Sequence, residues 1–168
     1  TSSLNAGGDL HFDSRGMLLI AKGDGSAGAD PMGLAQDLSM LNGKILRIDP
    51  NSREVAIHAL GLRNPQGLVF DRDGNLWATD HGPQGGDELN AIVAGGNYGW
   101  PFATLGTDYG TLRWPLSRRQ GRHDGFAEPV YSWTPSIGIS SVIQVQHEPD
   151  TWDGDLLVAS LRGRTLYR

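Results

Sequence analysis

Two short runs gather the residue types able to bind a charged or metal-bearing ligand. The first is Gly61-Leu62-Arg63-Asn64-Pro65-Gln66-Gly67, and one turn unit later comes Asp80-His81-Gly82-Pro83-Gln84-Gly85-Gly86-Asp87-Glu88-Leu89-Asn90. Cationic, amide and carboxylate side chains are interleaved there with glycines, which let backbone approach a ligand closely. Taken alone, Arg63 stands open between an anion-binding group and a surface arginine. Asp87 and Glu88 either tune the charge of such a site or are solvated loop carboxylates, the commoner case. The five histidines, His11, His58, His81, His123 and His147, lack the close pair spacings of zinc sites and read as structural, apart from His81 beside Gly82.

Composition narrows the partners. The 168 residues are 38% hydrophobic and 20% charged, which fits one soluble globular domain. A net charge of −5 gives no general attraction for nucleic acid or anionic membrane, so small molecules and metal cations are the expected ligands. Arg113, Arg118, Arg119, Arg122 and His123, with Trp114 and Pro115 among them, read as a solvated loop rather than a nucleic-acid surface. There is no cysteine, hence no disulfide or thiolate chemistry. No apolar run approaches the roughly 18 residues of a membrane span, and the start at Thr1 suggests a processed or truncated chain.

The elements that must position these residues read as strands. Twenty-four glycines punctuate short apolar segments at Met17 to Ala21, Lys44 to Ile48, Leu68 to Phe70, Leu76 to Thr79 and Leu156 to Leu161. Between Pro31 and Leu41 the spacing of Met32, Leu34, Ala35, Leu38 and Leu41 allows one helical turn or an ordered loop. Leu10-His11-Phe12-Asp13-Ser14-Arg15-Gly16-Met17-Leu18 recurs as Leu68-Val69-Phe70-Asp71-Arg72-Asp73-Gly74-Asn75-Leu76, and loosely around Trp152 to Leu156. Each copy reads as strand, tight turn, strand. Such repeats predict an all-β propeller of four-stranded antiparallel blades, at about 40–50 residues per blade. Residues 1–168 then form one partial propeller domain of roughly three to four blades, with repeats beginning near 8, 66 and 140. A β-sandwich whose hairpins merely look alike is the alternative fold.

At these residues the chain resembles the soluble quinoprotein glucose dehydrogenases and aldose sugar dehydrogenases, the glucose/sorbosone dehydrogenase family. The resemblance is carried, in order, by Gly61 to Gly67, Asp80 to Asn90, Gly95-Gly96-Asn97-Tyr98-Gly99-Trp100-Pro101 and Leu156 to Gly163. It implies a six-bladed propeller that binds pyrroloquinoline quinone and calcium, oxidises the anomeric hydroxyl of an aldose to a lactone, and passes electrons to an external acceptor. It also implies a periplasmic or secreted location, no membrane insertion and a possible homo-oligomer.

Residue by residue, the resemblance places Arg63, Asn64 and Gln66 against the quinone, with His81 at its edge. Gly82 and Pro83 match the carbonyls that help coordinate the catalytic calcium, a cation content with many oxygen ligands. Thr104, Gly106 and Asp108 fall where a second, structural calcium lies, Glu128 being a candidate fourth group; Asp108 reads equally as a turn residue. Thr134, in Trp133-Thr134-Pro135-Ser136, matches a cofactor-facing hydroxyl, and Trp133 either walls the cofactor or anchors a blade core. Arg162 stands where the family usually has a lysine, and the family's later quinone-binding arginines fall beyond Arg168.

The family's catalytic pair is a histidine base oriented by an aspartate. The first repeat puts the aspartate at Asp24 and the histidine position at Asn5. An amide does not titrate near neutral pH, so the roughly 10²–10⁴-fold supplied by acid–base catalysis is expected to be missing or impaired. Asp24 is then a relic of the dyad or a turn carboxylate, with His81 as the surrogate base. Two rivals follow: an inactive quinone- or sugar-binding propeller, and a calcium-dependent lactone hydrolase.

Overall fold

The computed structural model describes residues 5–26, 33–107, 110, 121–146 and 151–168. Among them are twelve strands and no α-helix: β1 (Leu10–Phe12), β2 (Leu18–Lys22), β3 (Lys44–Ile48), β4 (Val55–Leu60), β5 (Pro65–Phe70), β6 (Leu76–Asp80), β7 (Asp87–Ile92), β8 (Gly96–Asn97), β9 (Tyr131–Trp133), β10 (Ile139–Gln144), β11 (Leu156–Ser160) and β12 (Thr165–Tyr167). They form three sheets, ordered β1-β2-β3-β4-β8, β5-β6-β7-β9 and β10-β11-β12. Every pairing between these strands is antiparallel except β4 with β8. This is the architecture of a partial β-propeller.

The repeated hairpins share one turn chemistry. Asp13 Oδ1 accepts the backbone N–H groups of Arg15 and Met17, and Asp71 Oδ1 accepts those of Asp73 and Asn75. Gly16 and Gly74, at φ 76° and 83°, supply the left-handed residue each turn needs. Alternation along the strands then sends one face inward. Leu19, Ala21, Ile45 and Ala59 of the first sheet meet Leu68, Leu76, Ala78 and Ile92 of the second. On the other side of the second sheet, Val69, Leu89 and Trp133 pack on Ile139, Val142 and Val158 of the third. The outermost faces stay apolar and open: Leu10 and Phe12 are 60% and 55% exposed, Ile143 and Leu166 55% and 63%. These are the faces a further blade covers in a ring.

The described part of the segment read as a helical turn or ordered loop, residues 33–41, is a succession of turns. Asp37 N–H reaches Gly33 O at 3.1 Å, but the helical ladder stops there, because Lys44 Nζ takes the Leu34 and Ala35 carbonyls, both at 2.9 Å, and that of Asn42 at 2.7 Å. Leu38, Met40 and Leu41 are exposed, so no apolar stripe is buried.

Candidate functional site

The Arg63 loop enters β5 directly and is fastened to the end of β6. Both carboxylate oxygens of Asp80 accept backbone N–H groups, Oδ2 from Arg63 at 2.9 Å and Oδ1 from Asn64 at 2.6 Å. Asp80 is buried and pairs across the ladder with Glu88. Burial, then the Glu88 charge, push its pKa up to about 7 against the pull of the two N–H bonds and the Arg63 charge.

The Arg63 side chain is itself buried, 5% exposed. Its Nη1 donates to the carbonyls of His81 and Gly82 at 2.8 and 2.9 Å, and its guanidinium carbon lies 5.4 Å from the Trp100 ring centroid. Its Nε is buried with no partner. Arg63, Asp80, Glu88, Tyr98, Trp100 and Thr104 enclose a cavity of about 10 Å³.

Trp100 arrives from a distant part of the chain. After β7 the backbone crosses to the first sheet, where Gly96 and Asn97 pair in parallel with Ala59 and Leu60. Gly61, at φ 76°, allows this approach: a Cβ there would lie 2.3 Å from Asn97 Oδ1 and 2.7 Å from Gly99 N. Trp100 Nε1 then donates to Asp24 Oδ2 at 2.7 Å. Asp24 is fully buried and also accepts Ser26 N–H at 2.8 Å and Ser26 Oγ–H at 3.0 Å. Burial raises its pKa, partly offset by these donors and by Asn5. Asn5 is buried beside it, donating to Ser26 Oγ at 3.4 Å.

Asp87 and Glu88, whose commoner reading was as solvated loop carboxylates, are buried in β7. Asp87 Oδ2 gathers Ser136 Oγ–H at 2.8 Å, Ile137 N–H at 3.0 Å and Ile139 N–H at 2.9 Å, while Oδ1 takes Gly82 N–H at 3.1 Å. It thereby ties the Gly82 turn to the third sheet. His81 stands beside it, Nδ1 3.0 Å from Gly82 O and 3.4 Å from Asp87 Oδ1. Since a carbonyl only accepts, that bond needs a proton on Nδ1. Glu88 Oε1 lies 3.4 Å from His123 Nε2.

Arg63, Asp80, His81, Gly82 and Asp87 fall along one connected network; the other residues singled out in the sequence lie around it or apart from it. Asn64 Oδ1 accepts Gly7 N–H at 2.8 Å, and Gln66 Nε2 reaches back to Asn64 O at 3.4 Å. Thr134 and Arg162 line one open cleft of about 500 Å³ with Trp133, Ser136 and Tyr167, and Arg162 Nη1 donates to Ser136 O at 3.3 Å. Trp133 packs edge-on between Tyr131 and Tyr167, as a blade-core aromatic does. Pro83 is buried in the Gly82 turn, and Thr104 Oγ1 accepts Gly106 N–H at 3.1 Å. Asp108, with Arg113, Arg118, Arg119 and His147, lies outside the described residues. Glu128 is exposed in a different cleft, with Leu105 and His123. Among the described residues no three His, Asp or Glu side chains converge as a metal cluster. Sequence reading overlooked Asp80 and Trp100 as site residues; the only signal for Trp100 was its place in the Gly95 to Pro101 motif.

The family model described as Glucose / Sorbosone dehydrogenase matches residues 1–168. The aldose sugar dehydrogenase YliI of Escherichia coli (strain K12) is 33% identical over 173 residues, covering 94% of this chain and 45% of that protein. The crystal structure of the soluble aldose sugar dehydrogenase from Escherichia coli in the apo form superposes with a TM-score of 0.81 at 32% identity, over 96% of this chain and 52% of that one. The PQQ-bound aldose sugar dehydrogenase of Streptomyces coelicolor gives 0.72 at 31% identity, over 96% and 43%. The chain therefore spans about half the length of these relatives.

Proposed function

This chain belongs to the glucose/sorbosone dehydrogenase family, and on that footing we propose that it carries part of a quinoprotein sugar dehydrogenase. The reaction is oxidation of the anomeric hydroxyl of an aldose to a lactone, with hydride passing to pyrroloquinoline quinone and electrons onward to an external acceptor. Residues 1–168 form one partial propeller domain in this reading. A periplasmic or secreted location and a homo-oligomer go with it.

The observation that carries the reading is Arg63. Its guanidinium is buried, lies over the Trp100 ring, and has an Nε–H without an acceptor. The cavity beside it has room for no more than about one water, so a cofactor carboxylate or quinone oxygen reaches this group only when the surrounding turn opens; a charge-assisted bond there then replaces a desolvated donor left unmade. The donor set around it, Asn64, Gln66 and His81, with Thr134 and Arg162 across the Asp87–Ser136 link, fits a flat polyanion. Pyrroloquinoline quinone supplies the two-electron acceptor when bound.

For calcium the donors are right in kind, being carbonyls in a glycine-rich turn. Gly82 O already accepts Arg63 Nη1 and His81 Nδ1. A dication and the guanidinium therefore compete for that oxygen, and calcium at Gly82 and Pro83 requires Arg63 Nη1 to release it. Thr104, Gly106 and Asp108 remain the proposed ligands of a second calcium.

Asn5 favours a second reading, a propeller that binds quinone or sugar without turning it over. Its amide is spent on the Ser26 hydroxyl and offers no lone pair able to take a hydroxyl proton near neutral pH. Adding quinone and calcium to protein expressed from its complete natural gene, with dye reduction on aldoses, separates the cases. Quinone absorbance with turnover supports the dehydrogenase, and absorbance without turnover the binding protein. Calcium-dependent lactone cleavage without quinone uptake supports the hydrolase and overturns the proposal.

A further inference from the structure

Trp100 bridges the side chains of Asp24 and Arg63. Its indole N–H donates to Asp24 Oδ2 at 2.7 Å across 76 positions of chain, and its ring face carries the Arg63 guanidinium at 5.4 Å. The two partners are also joined through the backbone, Asp24 N–H donating to Arg63 O at 2.8 Å. Trp100 is 3% exposed and pinned on both sides of its backbone. Its N–H donates to Gly61 O at 2.9 Å, and its carbonyl accepts Gln36 Nε2–H at 2.7 Å. Gln36 is held in turn by a reciprocal amide pair with Asn97, at 3.0 and 2.8 Å.

We propose that Trp100 is a positioning residue, using its N–H to fix the Asp24 carboxylate and its ring to fix the Arg63 guanidinium, so that the two halves of the site keep one spacing. The proposal deepens the quinone reading and rests on it. A carboxylate accepting the indole N–H increases electron density on the ring, which strengthens its attraction for a cation over its face. Asp24 then has work that needs no histidine at position 5: it anchors the platform on which Arg63 lies. That explains a fully buried carboxylate ringed by donors beside an amide that cannot be a base.

Two substitutions separate the two contacts. Trp100→Phe keeps an aromatic face and removes the donor; Trp100→Leu removes both. The readouts are the Asp24 carboxyl titration by ¹³C NMR, the ring-current shift of the Arg63 Nε–H, and pyrroloquinoline quinone affinity by absorbance. In Trp100→Phe the Asp24 titration moves to higher pH, since a donor to its ionised form is lost, and the ring, no longer anchored, lets the Arg63 shift and the quinone affinity move part of the way to their Trp100→Leu values. In Trp100→Leu the Arg63 shift collapses and quinone affinity falls about tenfold, and Trp100→Leu added to Arg63→Ala costs nothing further. An unmoved Asp24 titration in Trp100→Phe, or losses that add in the Trp100→Leu, Arg63→Ala pair, overturn the proposal. Should Trp100→Leu not fold, the Asp24 titration and the Arg63 shift in Trp100→Phe decide together, and either one unmoved overturns the proposal. If the parent takes up no quinone, the quinone reading fails, and the two NMR readouts still decide the role of Trp100.

Discussion

Replacing Arg63 by alanine removes one side chain with three relationships: bonds to the His81 and Gly82 carbonyls, the cation–π contact over Trp100, and the unpaired Nε–H proposed to face the quinone. A bond to a charged group contributes about 1.5–3 kcal/mol, so losing the cofactor contact weakens quinone binding by roughly 10- to 150-fold. The fold loses less. Gly82 O keeps its bond from His81 Nδ1, leaving one carbonyl, that of His81, without its side-chain donor, at about 1–3 kcal/mol. Calcium moves the other way: with no guanidinium on Gly82 O, Arg63→Ala binds calcium more tightly than the parent when quinone is absent. The assay is an absorbance titration with quinone at fixed calcium, a calcium titration without quinone, and urea unfolding of both proteins. Quinone affinity within about twofold of the parent would return Arg63 to a purely structural role. Unchanged or weaker calcium binding would remove the competition at Gly82.

Lys44→Met removes the buried ammonium that binds three carbonyls, of which that of Ala35 keeps the Gly61 N–H, and loosens residues 33–43; urea unfolding should show a loss on the order of 3 kcal/mol. Asp80, with a folded pKa near 7 against 3.8, binds more protons folded than unfolded between those values. Stability therefore falls as pH rises from about 4 to 7, and denaturant midpoints across that range should fall less in Asp80→Asn. Glu88→Gln removes the second cause of that shift, so the Asp80 carboxyl should titrate at lower pH by NMR.

The hairpins were legible because their information is local: an Asp that bonds N–H groups two and four residues ahead, followed by a Gly at positive φ, recurs as a visible string. Arg63, Asn64, Gln66 and His81 stood out in the sequence for the same reason, as polar groups set among glycines in short runs. Asp87 misled because an acidic pair after two glycines looks like a solvated loop, and the three donors that bury it come from residues 136–139. Trp100 was hidden more deeply. Its partners Asp24 and Arg63 become neighbours only when the chain after β7 returns to pair with β4, a crossing that no periodicity announces. The 33–41 segment depended on Lys44, whose ammonium claims the carbonyls a helix needs.

The most direct measurement is the steady-state rate of aldose oxidation by Asn5→His against the parent, in protein from the complete natural gene supplied with quinone and calcium. An imidazole at position 5 lies beside the buried Asp24 carboxylate, which can fix its tautomer and raise its basicity. The parent should be slow or inactive and the variant faster, toward the roughly 10²–10⁴-fold that a positioned base supplies. A parent that already turns over at ordinary enzyme rates, with no gain in Asn5→His, would contradict the placement of the missing base at Asn5.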